Sequence, residues 1–173
     1  DHAARTSVEA MRLRGVPVET LFIDLLALAA RHLGELWEED LCNFADVTVG
    51  VGRLQQVMRD LSTGLVIRPL SSAQPRRILL LPSPGEQHTF GMVMVAEFFR
   101  LAGWRVQAAH APSAHELSLA LQSDWFDVLG VGISMEQQLP QVQQALSGAR
   151  QSSANPGIKI MLGGFLVQQR PDL

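Results

Sequence analysis

The residues with the clearest metal-site chemistry lie in one run, Pro84-Gly85-Glu86-Gln87-His88-Thr89-Phe90-Gly91. A neutral imidazole such as that of His88 is a good ligand for first-row transition metals. A carboxylate two residues away, Glu86, is placed to accept the other ring N–H, which fixes the tautomer and raises ligand basicity. Glycine at position 91 lets a bound group come close to the backbone. The competing reading is a loop histidine beside a helix start that holds nothing, and the motif alone does not separate the two.

The flanking elements say where such a loop would sit. The compact apolar run Arg77 to Leu81 reads as a strand. Helical spacing then runs from His88 to Ala102, with Gly103 as a stop. Further strands are expected at Arg105 to Ala109, Asp127 to Ile133 and Ile158 to Leu162. Between them come a helix capped by Ser113, with Glu116 completing a capping box, and a helix over Leu139 to Arg150. Strands alternating with helices predict a parallel sheet with helices on both faces and right-handed crossovers. In such a sheet, strand-to-helix loops at the carboxyl edge bind ligands. Ile133-Ser134-Met135 and Gly163-Gly164 fall on the same edge as Glu86 to Gly91.

The first part of the chain has a different period. A short helix is expected over residues 6–14, then a long one from Pro17 to about Trp37. On the long helix Leu21, Leu25, Leu28, His32 and Leu36 share a face. A third helix runs from about Asn43 to Leu61. Within it Gly50 and Gly52 each cost about 1 kcal/mol relative to Ala, so another helix or a flat ligand is expected against them. Short connections predict a small antiparallel bundle. The fold class is therefore α/β: an N-terminal helical bundle cap over residues 1–68, then a Rossmann-like (flavodoxin-like) parallel-sheet domain over 76–173. A Ser-, Gly- and Pro-containing linker joins the two. A further strand and helix are expected after the fourth strand, beyond Leu173. The chain starts at Asp1 rather than Met and reads as a fragment.

Composition removes several classes of function. With 47% apolar and 18% charged residues, the chain can build a core. A net charge of −3 argues against a dedicated nucleic-acid binder. The single cysteine, Cys42, excludes an internal disulfide and a multi-cysteine metal site, and suits a reducing cytoplasm. The run Leu21 to Leu36 is too short and too interrupted by charge to span a membrane.

The histidine loop, a serine turn at Ser134 and a Gly-Gly turn at Gly163-Gly164 together resemble the three-part signature of cobalamin-binding domains. Glu86 stands where the family has aspartate, and Met135-Glu136 departs from its Ser-x-Leu turn. The resemblance implies that His88 is the lower axial cobalt ligand, with the cofactor's own base displaced into a slot. Glu86, Gln87, Thr89, Phe90, Gly91, Ser134, Met135, Gly163 and Gly164 would border the slot, and His110 would make a polar contact at the ring edge. Leu33-Gly34-Glu35-Leu36-Trp37 resembles the helical cap of cobalamin-dependent photoreceptors and methionine synthases. That likeness implies that Trp37 and His32 cover the upper face. The adenosyl-clasping Glu-His pair of the photoreceptors is missing, the region reading Phe44-Ala45-Asp46-Val47-Thr48. A hydroxo-, aquo- or methyl-cobalamin is therefore expected rather than adenosylcobalamin.

Over nearly the whole chain the wording is similar to the AerR/PpaA antirepressors and to the haem-binding SCHIC domain of AppA. The resemblance implies a regulatory module, not an enzyme. Its partner would be a transcriptional repressor of the PpsR/CrtJ type, with no strong DNA binding of its own; a homodimer is left open. Two alternatives share the site. One is a haem sensor using His88 as axial ligand, for which the tail slot would be superfluous. The other is the corrinoid methyl carrier of a methyltransferase, which would need partner catalytic domains. His115 is expected at the surface, and Trp104 and Trp125 in packing roles.

Overall fold

Residues 2–63, 75–86, 89–109, 113–170 and 172 are described by the computed structural model. The chain divides into two units, Asp1–Val66 and Ile67–Leu173.

The first unit is helical: α1 (His2–Leu13), α2 (Val18–Thr20), a π-helical segment (Leu21–Leu26), α3 (Ala27–Glu38) and α4 (Phe44–Thr63). Pro17 is the N-cap of α2. Helix α2, the π segment and α3 form one rod, because Thr20, Leu21, Leu26 and Ala27 all hold right-handed helical dihedrals. The long helix read from the sequence is present, but its stripe is not continuous. The Ala27 N–H bonds to Phe22 C=O, an i→i+5 closure that inserts extra chain into the turn and shifts the phase of every later residue. Leu21, Phe22 and Leu26 are buried before the shift, whereas Leu28 and His32 end up exposed and α3 buries no residue fully. The expected face Leu21-Leu25-Leu28-His32-Leu36 is therefore corrected. Helix α4 starts on Asn43, whose Oδ1 accepts the N–H groups of Ala45 (2.8 Å) and Asp46 (3.0 Å), an N-cap. A Cβ on Gly50 would lie 2.7 Å from Leu33 Cδ1, so α3 does pack on Gly50. Gly52 has no such neighbour among the described residues, against expectation.

The second unit is the doubly wound domain. Strands β1 (Arg77–Pro82), β2 (Arg105–Ala108), β3 (Val128–Gly132) and β4 (Lys159–Gly163) pair in parallel in the order β2-β1-β3-β4. Helices α5 (Phe90–Leu101), α6 (Ala114–Ser123) and α7 (Leu139–Ser152) connect them, and α8 (Phe165–Gln169) follows β4. Ser113 accepts from Glu116 N–H and Glu116 accepts from Ser113 N–H, the expected capping box. The strands alternate faces. Leu79, Leu81, Leu129, Val131 and Ile133 pack with Leu117, Leu121, Val142 and Ala149 of α6 and α7. Ile78 and Leu80 pack with Ala96 of α5 on the other side. Burying such a side chain contributes about 1.5–3 kcal/mol, so β1, apolar on both faces, anchors both layers. Trp104 meets Phe99 edge-to-face at 5.0 Å and lies under Arg76, a packing role as expected. Trp125 is half exposed instead.

Candidate functional site

Chain direction locates the site. From β1 the next crossover goes to β2 on one side, and the following one to β3 on the other. The carboxyl ends of β1 and β3 are thus the topological switch point, where neighbouring loops diverge and leave a crevice. Register places Pro82 beside Gly132, and Ser83 N–H continues the pairing to Gly132 C=O at 2.9 Å. Pro84 and Gly85 then form a tight turn closed by Glu86 N–H to Ser83 C=O at 3.0 Å. Gly85 has φ +78°, which a type II turn requires at its third position. The turn delivers a half-buried Glu86 to the crevice. Thr89 is the N-cap of α5, and Phe90 and Gly91 open that helix. Among the described residues, a Cβ on Gly91 would meet nothing within 4 Å. Gln87, His88 and His110 lie outside the described residues.

The loop after β3 is braced by a side chain that sequence reasoning missed. Gln138 is only 4% exposed, and its Oε1 accepts the backbone N–H groups of both Ser134 and Met135 at 3.1 Å. Ser134 is half-buried and Met135 is 47% exposed. The signal was a glutamine at the third position of a short helical turn, where a side chain reaches back to orphan N–H groups.

The loop after β4 crosses the β3 tip at van der Waals limits. Ile133 N–H bonds to Gly163 C=O at 2.8 Å, and Leu166 N–H bonds back to Ile133 C=O at 3.2 Å. Gly164 has φ +107°, and a Cβ there would lie 2.3 Å from the Ile133 carbonyl oxygen. Gly164 is thus demanded by the backbone crossing itself. Gly163 is different, because among the described residues a Cβ there would meet nothing within 4 Å. Phe165 comes next and is 60% exposed. Arg170 joins this loop to the β3 loop through Glu136 (3.0 Å) and also holds Asp172 (3.1 Å). Its bond to Asp172, and then the charge of that carboxylate, raise the guanidinium pKa further.

Glu86, Thr89, Phe90, Gly91, Ser134, Met135, Gly163 and Gly164 thus stand on one edge of the sheet. Trp37 and His32 belong to the helical unit. Both are exposed, and His32 Nδ1 lies 3.2 Å from Glu35 Oε2. His32 is therefore not a core histidine; the π turn has rotated it outward. Trp37 borders an open depression with Asp40, Leu41, Cys42, Asn43, Phe44 and Asp46. Cys42 Sγ is 3.9 Å from Leu33 C=O, a structural contact. His115 is at the surface, as expected. Among the described residues no group of three or more His, Cys, Asp and Glu is gathered for a metal, and no helix is long and apolar enough to cross a membrane.

The edge suits a large flat ligand with a polar tail. Met135 and Phe165 offer exposed apolar surface, Gly91 and Gly163 border open space, and two buried polar atoms lack partners among the described residues: Ser83 Oγ and Gln138 Nε2. Residues 76–173 match the B12 binding domain model, and the chain belongs to that family. It is a cobalamin-binding domain on a Rossmann-like scaffold. Among its relatives is the "uncharacterized 20.5 kDa protein in bchF-crtJ intergenic region" of Rhodobacter capsulatus, 30% identical over 93% of this chain and 83% of that protein. The monomethylamine corrinoid protein of Methanosarcina barkeri shares the fold, with a TM-score of 0.70 at 12% identity, over 91% of this chain and 74% of that one. The resemblance to AerR/PpaA-type cobalamin-binding domains read from the sequence agrees with these findings.

Proposed function

We propose that the chain is a cobalamin-dependent regulatory module in which His88 is the lower axial ligand of cobalt. The single observation that carries the reading is that Glu86, delivered by the Pro84-Gly85 turn, and Gly91, at the start of α5, flank the sequence position of His88 at the β1/β3 switch point. Glu86 would hold the imidazole tautomer, Ser134 and Gly163 would border the nucleotide tail, and Met135 and Phe165 would offer apolar surface to the corrin. When bound, the cofactor supplies a coloured cobalt centre whose axial ligation responds to light and redox state. A hydroxo-, aquo- or methyl form suits a chain without the adenosyl-clasping pair.

The regulatory role is supported by the relative encoded between bchF and crtJ, which favours a transcriptional repressor of the PpsR/CrtJ type as partner. Buried polar atoms at the switch point suit the nucleotide tail of a corrinoid.

The test is a titration of hydroxocobalamin and of haem into the purified protein, in dark and light, with His88→Ala alongside. Wild type is expected to bind hydroxocobalamin with the spectral change of base displacement, and His88→Ala to lose that change and most of the affinity. An unaltered spectrum and affinity in His88→Ala would remove the ligand assignment. Repressor binding measured with and without cofactor and light then tests the partner. Indifference to both would leave a cofactor carrier rather than a sensor.

A further inference from the structure

The carboxamide of Gln138 is saturated at one end and empty at the other. Its oxygen accepts two backbone N–H groups, from Ser134 and Met135, which uses both lone pairs. This also settles the orientation of the amide, since a flipped group would aim N–H at N–H. The nitrogen, with two hydrogens to donate, is buried and has no partner among the described residues. On the neighbouring strand tip, Ser83 Oγ is fully buried and equally without a partner. Folded proteins rarely leave such groups unmet, because each is desolvated without compensation. Here two of them stand at the carboxyl ends of β1 and β3, the adjacent strands of the switch point.

We infer that Gln138 and Ser83 are specificity-determining residues for the nucleotide loop of the corrinoid. They supply donors for its acceptor atoms, whether phosphate, ribose or base nitrogen. Gln138 does so while its other end holds the Ser134 loop in place. The inference rests on the cobalamin reading above and deepens it. The cobinamide core carries none of these acceptors, so the two ligands separate a tail contact from a general effect on the fold. Buried water at these groups is the competing occupant.

Two substitutions separate the roles. Gln138→Glu, assayed at pH 8, keeps an oxygen for the two backbone N–H groups. Those bonds hold its carboxylate ionised, while the donor is replaced by an acceptor. Ser83→Ala removes a buried hydroxyl without changing the strand. Affinities for cobalamin and cobinamide are measured by equilibrium titration, and the ligand-free fold by thermal unfolding. Gln138→Glu is expected to weaken cobalamin by about tenfold, the scale of one charge-altered hydrogen bond, with cobinamide changed by less than about twofold. Ser83→Ala is expected to weaken cobalamin by roughly three- to tenfold while the ligand-free protein is equally or more stable, since an unmet group has been removed. Equal losses for both ligands, or no loss for either, overturn the inference and leave a water in the site. A Ser83→Ala protein that is less stable without ligand, at an unchanged cobalamin-to-cobinamide ratio, also overturns it. Failure of the wild type to bind either corrinoid is a separate result, and removes the cobalamin reading itself.

Discussion

Gly163 and Gly164 are neighbours in the sequence and look interchangeable there, but the structure gives them opposite consequences. Replacing Gly164 by Ala forces an L side chain into φ +107°, ψ −179°, a region essentially reserved for glycine, at about 1–3 kcal/mol. Its Cβ would also sit 2.3 Å from Ile133 O and 2.8 Å from Ile133 N. Those are backbone atoms, so no rotamer change relieves the contact. The crossing must open, which puts at risk the Ile133 N–H to Gly163 C=O and Leu166 N–H to Ile133 C=O bonds, at about 1 kcal/mol each. The sum is about 3–5 kcal/mol. At Gly163 the backbone is ordinary and, among the described residues, a Cβ meets nothing within 4 Å, so Gly163→Val should leave stability within about 1 kcal/mol while overfilling the open space beside it. The assay is amide hydrogen exchange over residues 128–170 of the ligand-free protein, followed by titration with cobalamin and cobinamide. Gly164→Ala should raise exchange across the β3 and β4 tips and weaken both ligands. Gly163→Val should leave exchange unchanged and weaken cobalamin more than cobinamide. A Gly164→Ala protein with wild-type exchange would refute the crossing argument, and a Gly163→Val protein with wild-type affinity for cobalamin would refute the slot.

Two further outcomes follow from helix geometry. Gly52→Ala should stabilise α4 by about 1 kcal/mol, because the helix interior gains a better former and the Cβ meets nothing. Gly50→Ala should gain nothing or lose stability, since its Cβ would displace Leu33; a gain equal to that of Gly52→Ala in thermal unfolding would contradict the α3–α4 contact. In the sheet unit, Ser113→Ala should cost about 1 kcal/mol by uncapping α6. The Ser113 bonds hold the Glu116 carboxyl below its usual pKa, so the box stabilises the fold above the ordinary Glu pKa and that contribution is lost as the pH falls through the lowered one. The stability difference between wild type and Ser113→Ala should therefore narrow in acid, and a pH-independent difference would exclude the carboxylate's part.

Local signals were enough for much of this protein. Ile78-Leu79-Leu80-Leu81 reads as a strand buried on both faces, and the Ser113–Glu116 box is a capping interaction complete within four residues. The strand–helix alternation and the edge carrying Glu86, Ser134 and Gly163 follow from the same short-range patterns, because side-chain period and capping are set by nearest neighbours along the chain. Other features depend on what lies across space. The π turn at Leu21–Leu26 has no composition of its own, and the phase shift that exposes His32 follows only once Leu21, Phe22 and Leu26 are packed. Nothing local marks Gly164 as obligatory and Gly163 as free. That difference comes from the approach of the Ile133 carbonyl, over thirty residues away. Gln138 reads as one polar residue among several in Glu136-Gln137-Gln138. Only the folded loop shows that its oxygen braces Ser134 and Met135 while its nitrogen is buried unmet. Which polar group is satisfied, and which is left for a ligand, is a property of three-dimensional neighbours, and those exist only after the strands have come together.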